Sequence, residues 1–488
     1  MEIRQAAVIV PLRVLERLEV YIVRRAPELA FLGGFHTFPG GSLDPVDEAL
    51  AHDGLVSDVR VSAAQRELFE ELGVLTGALA TVDTDRQSLR QRVLDDPSAW
   101  GEWITCQGGI DHRHLKKFGR WVTPAFSPIR FEAQYFAATI PDSETPDVWP
   151  GENTEGAWWT VRGALDAHTA GELFISYPVL ETLKVIDECD GNVDQAAEIL
   201  EARDTEEESG GGGEMLAGVR VRPVLTPTLP PAKHTNVYIL GRDELVVVDP
   251  ATPFPDEQRG LIAYLERLEA RGERIREIWL THHHPDHTGA VGALRERFSV
   301  PVAAHRLCAE DLAGRVVVDR FIEDQELTVF TGRDGTEDRW RALHTPGHAR
   351  GHLCFYEERA GTLVSGDLVV SVGTVVIAAP DGDMTDYFAS LRRVRNLPKH
   401  GFLLPAHGHP LATTLAKIDE YIAHRTAREE SIFETLEVAR SALEIVPILY
   451  ADVPQQVWPL AAASVESHLV KLEGEGRVQR EGDRWSRS

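Results

Sequence analysis

Thr281-His282-His283-His284-Pro285-Asp286-His287-Thr288-Gly289 follows the apolar, strand-like run Ile275 to Leu280 and crowds metal-binding groups into six residues. Alternate residues of an extended chain point the same way, so His282 and His284 can share one cation. Past Pro285 the chain turns, and Asp286 and His287 face a second. The stretch outlines a dinuclear metal site. His283, between two ligands, is expected to face away and to serve structure.

Three further motifs follow in order, each just after a hydrophobic run that reads as a strand: His348 in Thr345-Pro346-Gly347-His348, Asp367 in Ser365-Gly366-Asp367, and His407 in Leu404-Pro405-Ala406-His407-Gly408. A lone histidine is usually packed or at the surface, but four ordered motifs are not accounted for that way. Together with His-x-His-x-Asp-His they resemble the metallo-β-lactamase-fold hydrolases. The resemblance implies that His282, His284 and His348 hold one metal, that Asp286, His287 and His407 hold the other, and that Asp367 bridges them. It also implies Asp286 as the catalytic residue of this half. Imidazole and carboxylate ligands suit two Zn²⁺, or Fe or Mn. Coordination lowers the pKa of water from about 15.7 toward about 7, so hydrolysis needs no Ser or Cys nucleophile. Asp249, ending the apolar run from Glu244, matches the family's first aspartate and is expected to support the ligands. His352 is open between a supporting role, substrate binding and plain packing.

At 488 residues the chain is too long for one core and suggests two or three domains. Its formal net charge of −27 repels polyphosphate backbones at long range, which favours a small-molecule substrate and disfavours RNA. Cys106, Cys189, Cys308 and Cys354 lie far apart without a C-x-x-C pair, arguing against a disulfide framework and a zinc ribbon. No basic region followed by an apolar run opens the chain, and no stretch approaches about 18 apolar residues. The expectation is a soluble, cytoplasmic protein without membrane partners.

The stretch 204–214 has almost nothing to bury and contains four consecutive glycines, so it reads as a flexible acidic linker. It separates residues 1–203 from 215–415, where strands and helices alternate around the histidine motifs. A second break is expected near Leu411 to Lys417. Residues 416–488 then read as helices followed by a β-hairpin turning at Glu481-Gly482-Asp483, the pattern of a winged helix. From Lys417 on, nine Lys or Arg face thirteen Asp or Glu, which favours packing or cleft lining over nucleic-acid binding.

In the first half, Arg66-Glu67-Leu68-Phe69-Glu70-Glu71-Leu72-Gly73 places Glu67, Glu70 and Glu71 on one helical face, where mutual repulsion invites a cation. Oxygen ligands favour Mg²⁺ or Mn²⁺. With Phe38-Pro39-Gly40-Gly41 upstream, the segment resembles the Nudix box of diphosphate hydrolases. Asp47 stands where the box has its first glutamate, and about eleven extra residues precede Arg66, an insertion similar to that of the peroxisomal coenzyme A diphosphatase branch. The resemblance implies Glu67, Glu70 and Glu71 as metal ligands, Glu70 and Glu71 as catalytic, and Arg25, Gly40 and Gly41 as substrate contacts; His352, in the other half, is a separate substrate-contact candidate. Ala30 replaces the second arginine of the coenzyme A signature, which weakens coenzyme A as substrate. Glu152 or Glu155 is a candidate distal base.

The expected architecture is thus a multidomain α/β and α+β chain: a Nudix α/β/α sandwich, a metallo-β-lactamase αββα sandwich similar to the endoribonuclease and glyoxalase-II-like branch, and a winged helix. The expected function is bifunctional hydrolysis, of small (thio)esters by the second half and of nucleoside diphosphate derivatives by the first. RNA processing, or a non-catalytic nucleotide-sensing Nudix half, are the alternatives.

Overall fold

The computed structural model describes residues 3–123, 129–203, 213–451 and 454–488. Most of the linker expected at 204–214 therefore lies outside the described residues. Residues 1–217 and 218–488 form two compact units.

The first unit runs β1 (Arg4–Val14), β2 (Leu18–Arg25), β3 (His36–Thr37), β4 (Gly40–Ser42), α1 (Pro45–His52), α2 (Val59–Leu72), α3 (Arg86–Asp95), α4 (Ser98–Gln107), β5 (Lys116–Val122), β6 (Phe131–Thr139), β7 (Asn153–Thr160), α5 (Val161–Thr169), α6 (Tyr177–Glu188) and α7 (Val193–Ala202). Its mixed sheet has the order β3-β2-β1-β6-β5, with β4 also on β1 and β7 also on β2. Side chains alternate along the strands, so each face of the sheet builds its own core. Ala7, Ile9, Tyr21 and Val23 pack with Leu68, Phe69, Leu72 and Trp100 on one side. Val10, Leu12, Val20 and Ile22 pack with Leu180, Leu183 and Leu200 on the other. The result is the three-layer arrangement expected. In α2, Val61, Ala64, Leu68 and Leu72 recur at helical spacing and are buried. Asp58 caps its start, and Gly73, at φ +66°, ends it in the left-handed conformation that glycine adopts without strain.

The second unit runs β8 (Val219–Leu225), β9 (His234–Gly241), β10 (Glu244–Val248), α8 (Pro255–Ala270), β11 (Arg274–Trp279), α9 (Pro285–Thr288), α10 (Val291–Phe298), β12 (Val302–Ala304), α11 (Arg306–Asp311), β13 (Arg320–Phe321), β14 (Leu327–Thr331), β15 (Glu337–His344), β16 (Leu353–Glu357), β17 (Thr362–Gly366), α12 (Met384–Arg395), β18 (Leu403–Pro405), α13 (Thr414–Glu434), α14 (Ala442–Leu449), α15 (Trp458–Gly474), β19 (Val478–Glu481) and β20 (Arg484–Arg487). One sheet has the order β13-β12-β11-β10-β9-β8, the other β14-β15-β16-β17-β18. They pack face to face through side chains such as Trp279 and Phe355, whose ring centroids are 4.8 Å apart. The outer face of the first sheet buries Val237, Val247 and Ile278 under Leu261 and Leu265 of α8. The second sheet buries Leu343, Cys354 and Leu363 against α12 and α13. This is an αββα sandwich.

No break appears at 411–417, because α13 begins there and packs Ile418 and Tyr421 into the core of the second sheet. Beyond it α14, α15 and the β19–β20 hairpin close a small core of Ile445, Val446, Val465, Leu469, Leu472 and Trp485. This is the winged helix, and Gly482 turns its hairpin at φ +64°. No helix among the described residues is long and apolar enough to cross a membrane.

Candidate metal centre

The ligand-type residues sit just past strand ends drawn from both sheets. Asp249 follows β10, Thr281 and His282 follow β11, His348 follows β15, Asp367 follows β17 and His407 follows β18. Because β10 pairs in parallel with β11, and β17 with β18, these ends meet at one edge of the sandwich. Asp249, buried and at φ +49°, anchors the group. Its carboxylate accepts from Thr281 N at 2.7 Å, from Thr281 Oγ1 at 2.6 Å and from His287 Nδ1 at 2.8 Å.

The hydrogen bonds fix the tautomer of each imidazole. Thr281 Oγ1 spends its proton on Asp249, so at 3.0 Å it accepts from His282 Nδ1. His348 Nδ1 donates to the Val376 carbonyl at 2.8 Å, and His407 Nδ1 donates to the His234 carbonyl at 3.0 Å. His284 uses Nε2 to donate to Asp381 Oδ2 at 3.2 Å. For His282, His284 and His348 the other ring nitrogen is left as a bare lone pair pointing inward. His284 Nδ1 consequently faces His282 Nε2 and His348 Nε2, each at 2.9 Å. Lone pairs at that separation repel unless a cation lies among them.

A second set of donors completes the centre. Asp286, His287 and His407 bring ligand atoms within 4.8 Å of one another, as do His282, His284 and His348. Asp367 lies between the sets: Oδ2 is 3.6 Å from His348 Nε2, while Oδ1 is 3.6 Å from His287 Nε2 and 3.4 Å from His407 Nε2. His287 Nε2 and Asp367 Oδ1 are buried without hydrogen-bond partners, so each is short of the contact an ion would supply. Burial pushes the pKa of His282 far down and that of His348 down to about 4, favouring neutral, ligand-ready rings. Burial also opposes charge on Asp367, but His407 and His287 outweigh it and keep the carboxylate ionised. The donor set fits a dinuclear site for zinc or iron.

His283 does face away, toward Asp381 and Asp311 at 3.4 and 3.7 Å. His352 is fully buried, donates through Nδ1 to Thr345 Oγ1 at 2.9 Å and accepts at Nε2 from Asp367 N at 3.1 Å. With both nitrogens used inside the protein it supports Asp367 and is out of a substrate's reach, which corrects the expectation of a substrate contact. The residues that sequence reading missed are Asp381, Thr228, whose Oγ1 lies 3.4 Å from His407 Nε2, and the carbonyls of His234 and Val376. Asp381 stands in no local motif, and a carbonyl carries no residue identity.

The role of Asp249 gives a prediction. Asp249→Asn keeps shape and tolerates the left-handed backbone, but its neutral amide can no longer accept from Thr281 and His287 together. Metal affinity is expected to fall about 10- to 100-fold with the fold retained, measured by chelator competition.

In the first unit, Asp47 is tied to Arg66 of the helix that carries the glutamates. It is fully buried and accepts from Arg66 Nη2 at 2.9 Å and from Ser62 Oγ at 2.7 Å. Arg66 Nη1 donates to Glu67 at 2.9 Å and to Glu70 at 3.2 Å. Both carboxylates are therefore turned onto the arginine. Among the described residues, the three glutamates do not form a group with ligand atoms within 4.8 Å of one another. Arg66 shares their helical face and holds two of them. Glu71 is set apart, with Oε2 buried and unpartnered. Burial raises the pKa of Glu71 well above its ordinary value and pushes that of Glu67 up to about 7. Gly41 lies against Glu67, since a Cβ there would stand 2.5 Å from the carboxyl carbon. A Cβ at Gly40 would strike the Ala7 carbonyl at 2.4 Å, so that glycine serves the β1–β4 pairing. Arg25 pairs with Glu152 at 3.5 Å and donates to the Phe31 carbonyl at 3.2 Å.

Comparison with known proteins extends this picture. Residues 230–407 match the family described as the metallo-beta-lactamase superfamily, and residues 441–485 match the beta-lactamase associated winged helix domain. The beta-lactamase-like protein 2 homolog of Drosophila melanogaster is 30% identical over 52% of this chain and 87% of its own length. The probable metallo-hydrolase YqjP of Bacillus subtilis is 24% identical over 50% of this chain and 88% of its own. A crystal structure of a NUDIX hydrolase from Alicyclobacillus acidocaldarius covers 41% of this chain and 98% of its own, at 29% identity and a TM-score of 0.37.

Proposed function

The second half of the chain belongs to the metallo-β-lactamase superfamily as a metal-dependent hydrolase, and on that premise we propose that its substrates are small acyl esters or thioesters. The observation that carries the metal chemistry is the inward convergence of His282 Nε2, His284 Nδ1 and His348 Nε2, with Asp367 between them and the second donor set. Bound there, a metal pair supplies the Lewis acidity that makes water acidic and polarises a carbonyl. The chain's own residues do the rest. Asp249, Asp381 and the Val376 and His234 carbonyls hold the rings in register. Asp286, whose Oδ2 lies 3.6 Å from His407 Nε2, offers a partly exposed carboxylate that can hold the proton released in hydrolysis.

The net charge of −27 supports a small substrate over a polynucleotide. A panel of acyl-thioesters, acyl esters and single-stranded RNA tests this, with metal content measured alongside. Thioester turnover that disappears in Asp286→Ala is expected. Turnover of RNA alone overturns the substrate class.

For the first unit we propose a Nudix-type diphosphatase using Mg²⁺ or Mn²⁺ on nucleoside diphosphate derivatives. The Asp47–Arg66 pair in the box position and the strained, buried carboxyls of Glu67 and Glu71, which a cation would relieve, support it. The engagement of Glu67 and Glu70 by Arg66 favours a second reading, a unit that binds a nucleotide without cleaving it. Glu70→Gln with Glu71→Gln is expected to abolish diphosphate cleavage. Ligand binding without turnover, unchanged by the double substitution, selects the sensor instead. ADP derivatives and coenzyme A are the probes.

A further inference from the structure

Arg425, in the middle of α13, is buried at 5% exposure yet carries a full charge. Among the described residues no carboxylate pairs with it, and its contacts are a carbonyl and the Tyr387 side chain. Nη2 donates to the Val375 carbonyl, and the guanidinium carbon lies 5.4 Å from the centroid of the Tyr387 ring. Burying a guanidinium for so little is unfavourable unless the carbonyl it holds matters. The same segment is held at two more points. Tyr387 Oη donates to the Leu368 carbonyl at 2.7 Å, and Tyr421 Oη donates to the Val370 carbonyl at 3.0 Å while accepting from Val370 N at 3.2 Å. The segment starts immediately after Asp367 and ends at Val376, the carbonyl that accepts from His348 Nδ1 at 2.8 Å.

We propose that Arg425 is a positioning residue for the His282, His284 and His348 site, acting on His348 through Val375 and Val376. The mechanism is mechanical. The peptide joining Val375 to Val376 is planar, so holding the Val375 oxygen restrains the position of the Val376 Cα, from which the next carbonyl projects through two backbone torsions. That carbonyl sets the tautomer and direction of the His348 ring. Arg425 is itself held in place from beyond the sandwich: one turn along α13, Glu429 accepts from His468 Nδ1 at 3.2 Å and from Lys471 Nζ at 2.7 Å, both on α15 of the winged helix. The C-terminal module thereby steadies the helix that grips the metal loop.

The inference rests on the reading of His348 as a metal ligand. Full-length wild type, Arg425→Lys and Arg425→Met are loaded with Zn²⁺, and each is titrated with a chelator while bound metal is counted. Thermal midpoints are taken with metal and after stripping. Arg425→Met is expected to hold one of the two ions at least about 10-fold more weakly. Arg425→Lys, which keeps a donor on a shorter reach, is expected to fall between. The stripped proteins are expected to melt together, so the loss lies in metal retention. Equal retention across the three, with or without a common drop in melting, overturns the role of Arg425. If Arg425→Met does not fold, Arg425→Lys decides on the same readout. Wild type that fails to hold two ions sinks the metal-centre reading itself, which separates the two failures.

Discussion

Asp367→Ala is expected to cut bound metal from two ions per chain to one or none and to lower the hydrolytic rate by about a thousandfold or more, roughly 4 kcal/mol of barrier. The argument is electrostatic. Asp367 turns one oxygen toward His348 and the other toward His287 and His407, so it places negative charge between the two donor sets. Two dications held about 3.5–4 Å apart would repel by about 17–19 kcal/mol at an effective dielectric near 20. Neutral imidazoles cannot offset that alone. Metal analysis beside steady-state rates checks it, and two tightly held ions with a rate within tenfold of wild type would falsify the bridging role.

Arg66→Met is expected to destabilise the first unit by about 3–5 kcal/mol, because it strands Asp47 as a buried, unpaired carboxylate. Asp47 is fully buried and, among the described residues, retains Ser62 Oγ and the Asp44 amide as donors once the guanidinium is gone. Chemical denaturation followed by fluorescence reads this unit, since Trp100 and Trp103 stack near Phe69 in its core. Replacing both partners, as Asp47→Leu with Arg66→Met, should recover much of the loss, because an apolar pair leaves no orphaned charge. A loss under about 1 kcal/mol for the single change would mean that the pair behaves as a surface contact.

What the sequence disclosed follows a physical pattern. His282, His284, His348, Asp367 and His407 were legible because each stands within a few residues of a strand end, where periodicity, a glycine or proline turn and a ligand side chain occur together. Asp381 was not legible, since it reaches His284 from a loop whose course depends on tertiary packing. The carboxylates of α2 were half read. The spacing that put Glu67, Glu70 and Glu71 on one face also puts Arg66 four residues before Glu70, and that pair, visible in the sequence, is the one that forms. The apparent break at 411–417 marked only the start of α13, because turn residues signal the end of one element and not the end of a domain.

The metal-binding loops belong to both layers of the sandwich: His282, His284 and His287 come from one sheet, and His348, Asp367 and His407 from the other. An ion held by His282 and His348 is therefore a rivet through the seam, and prying the layers apart requires expelling it. Resistance to unfolding then becomes a function of how much free metal the surroundings offer, growing by about 1.4 kcal/mol for each tenfold rise above the dissociation constant. A cell that starves this protein of metal would thin the stability margin of its second half along with its chemistry.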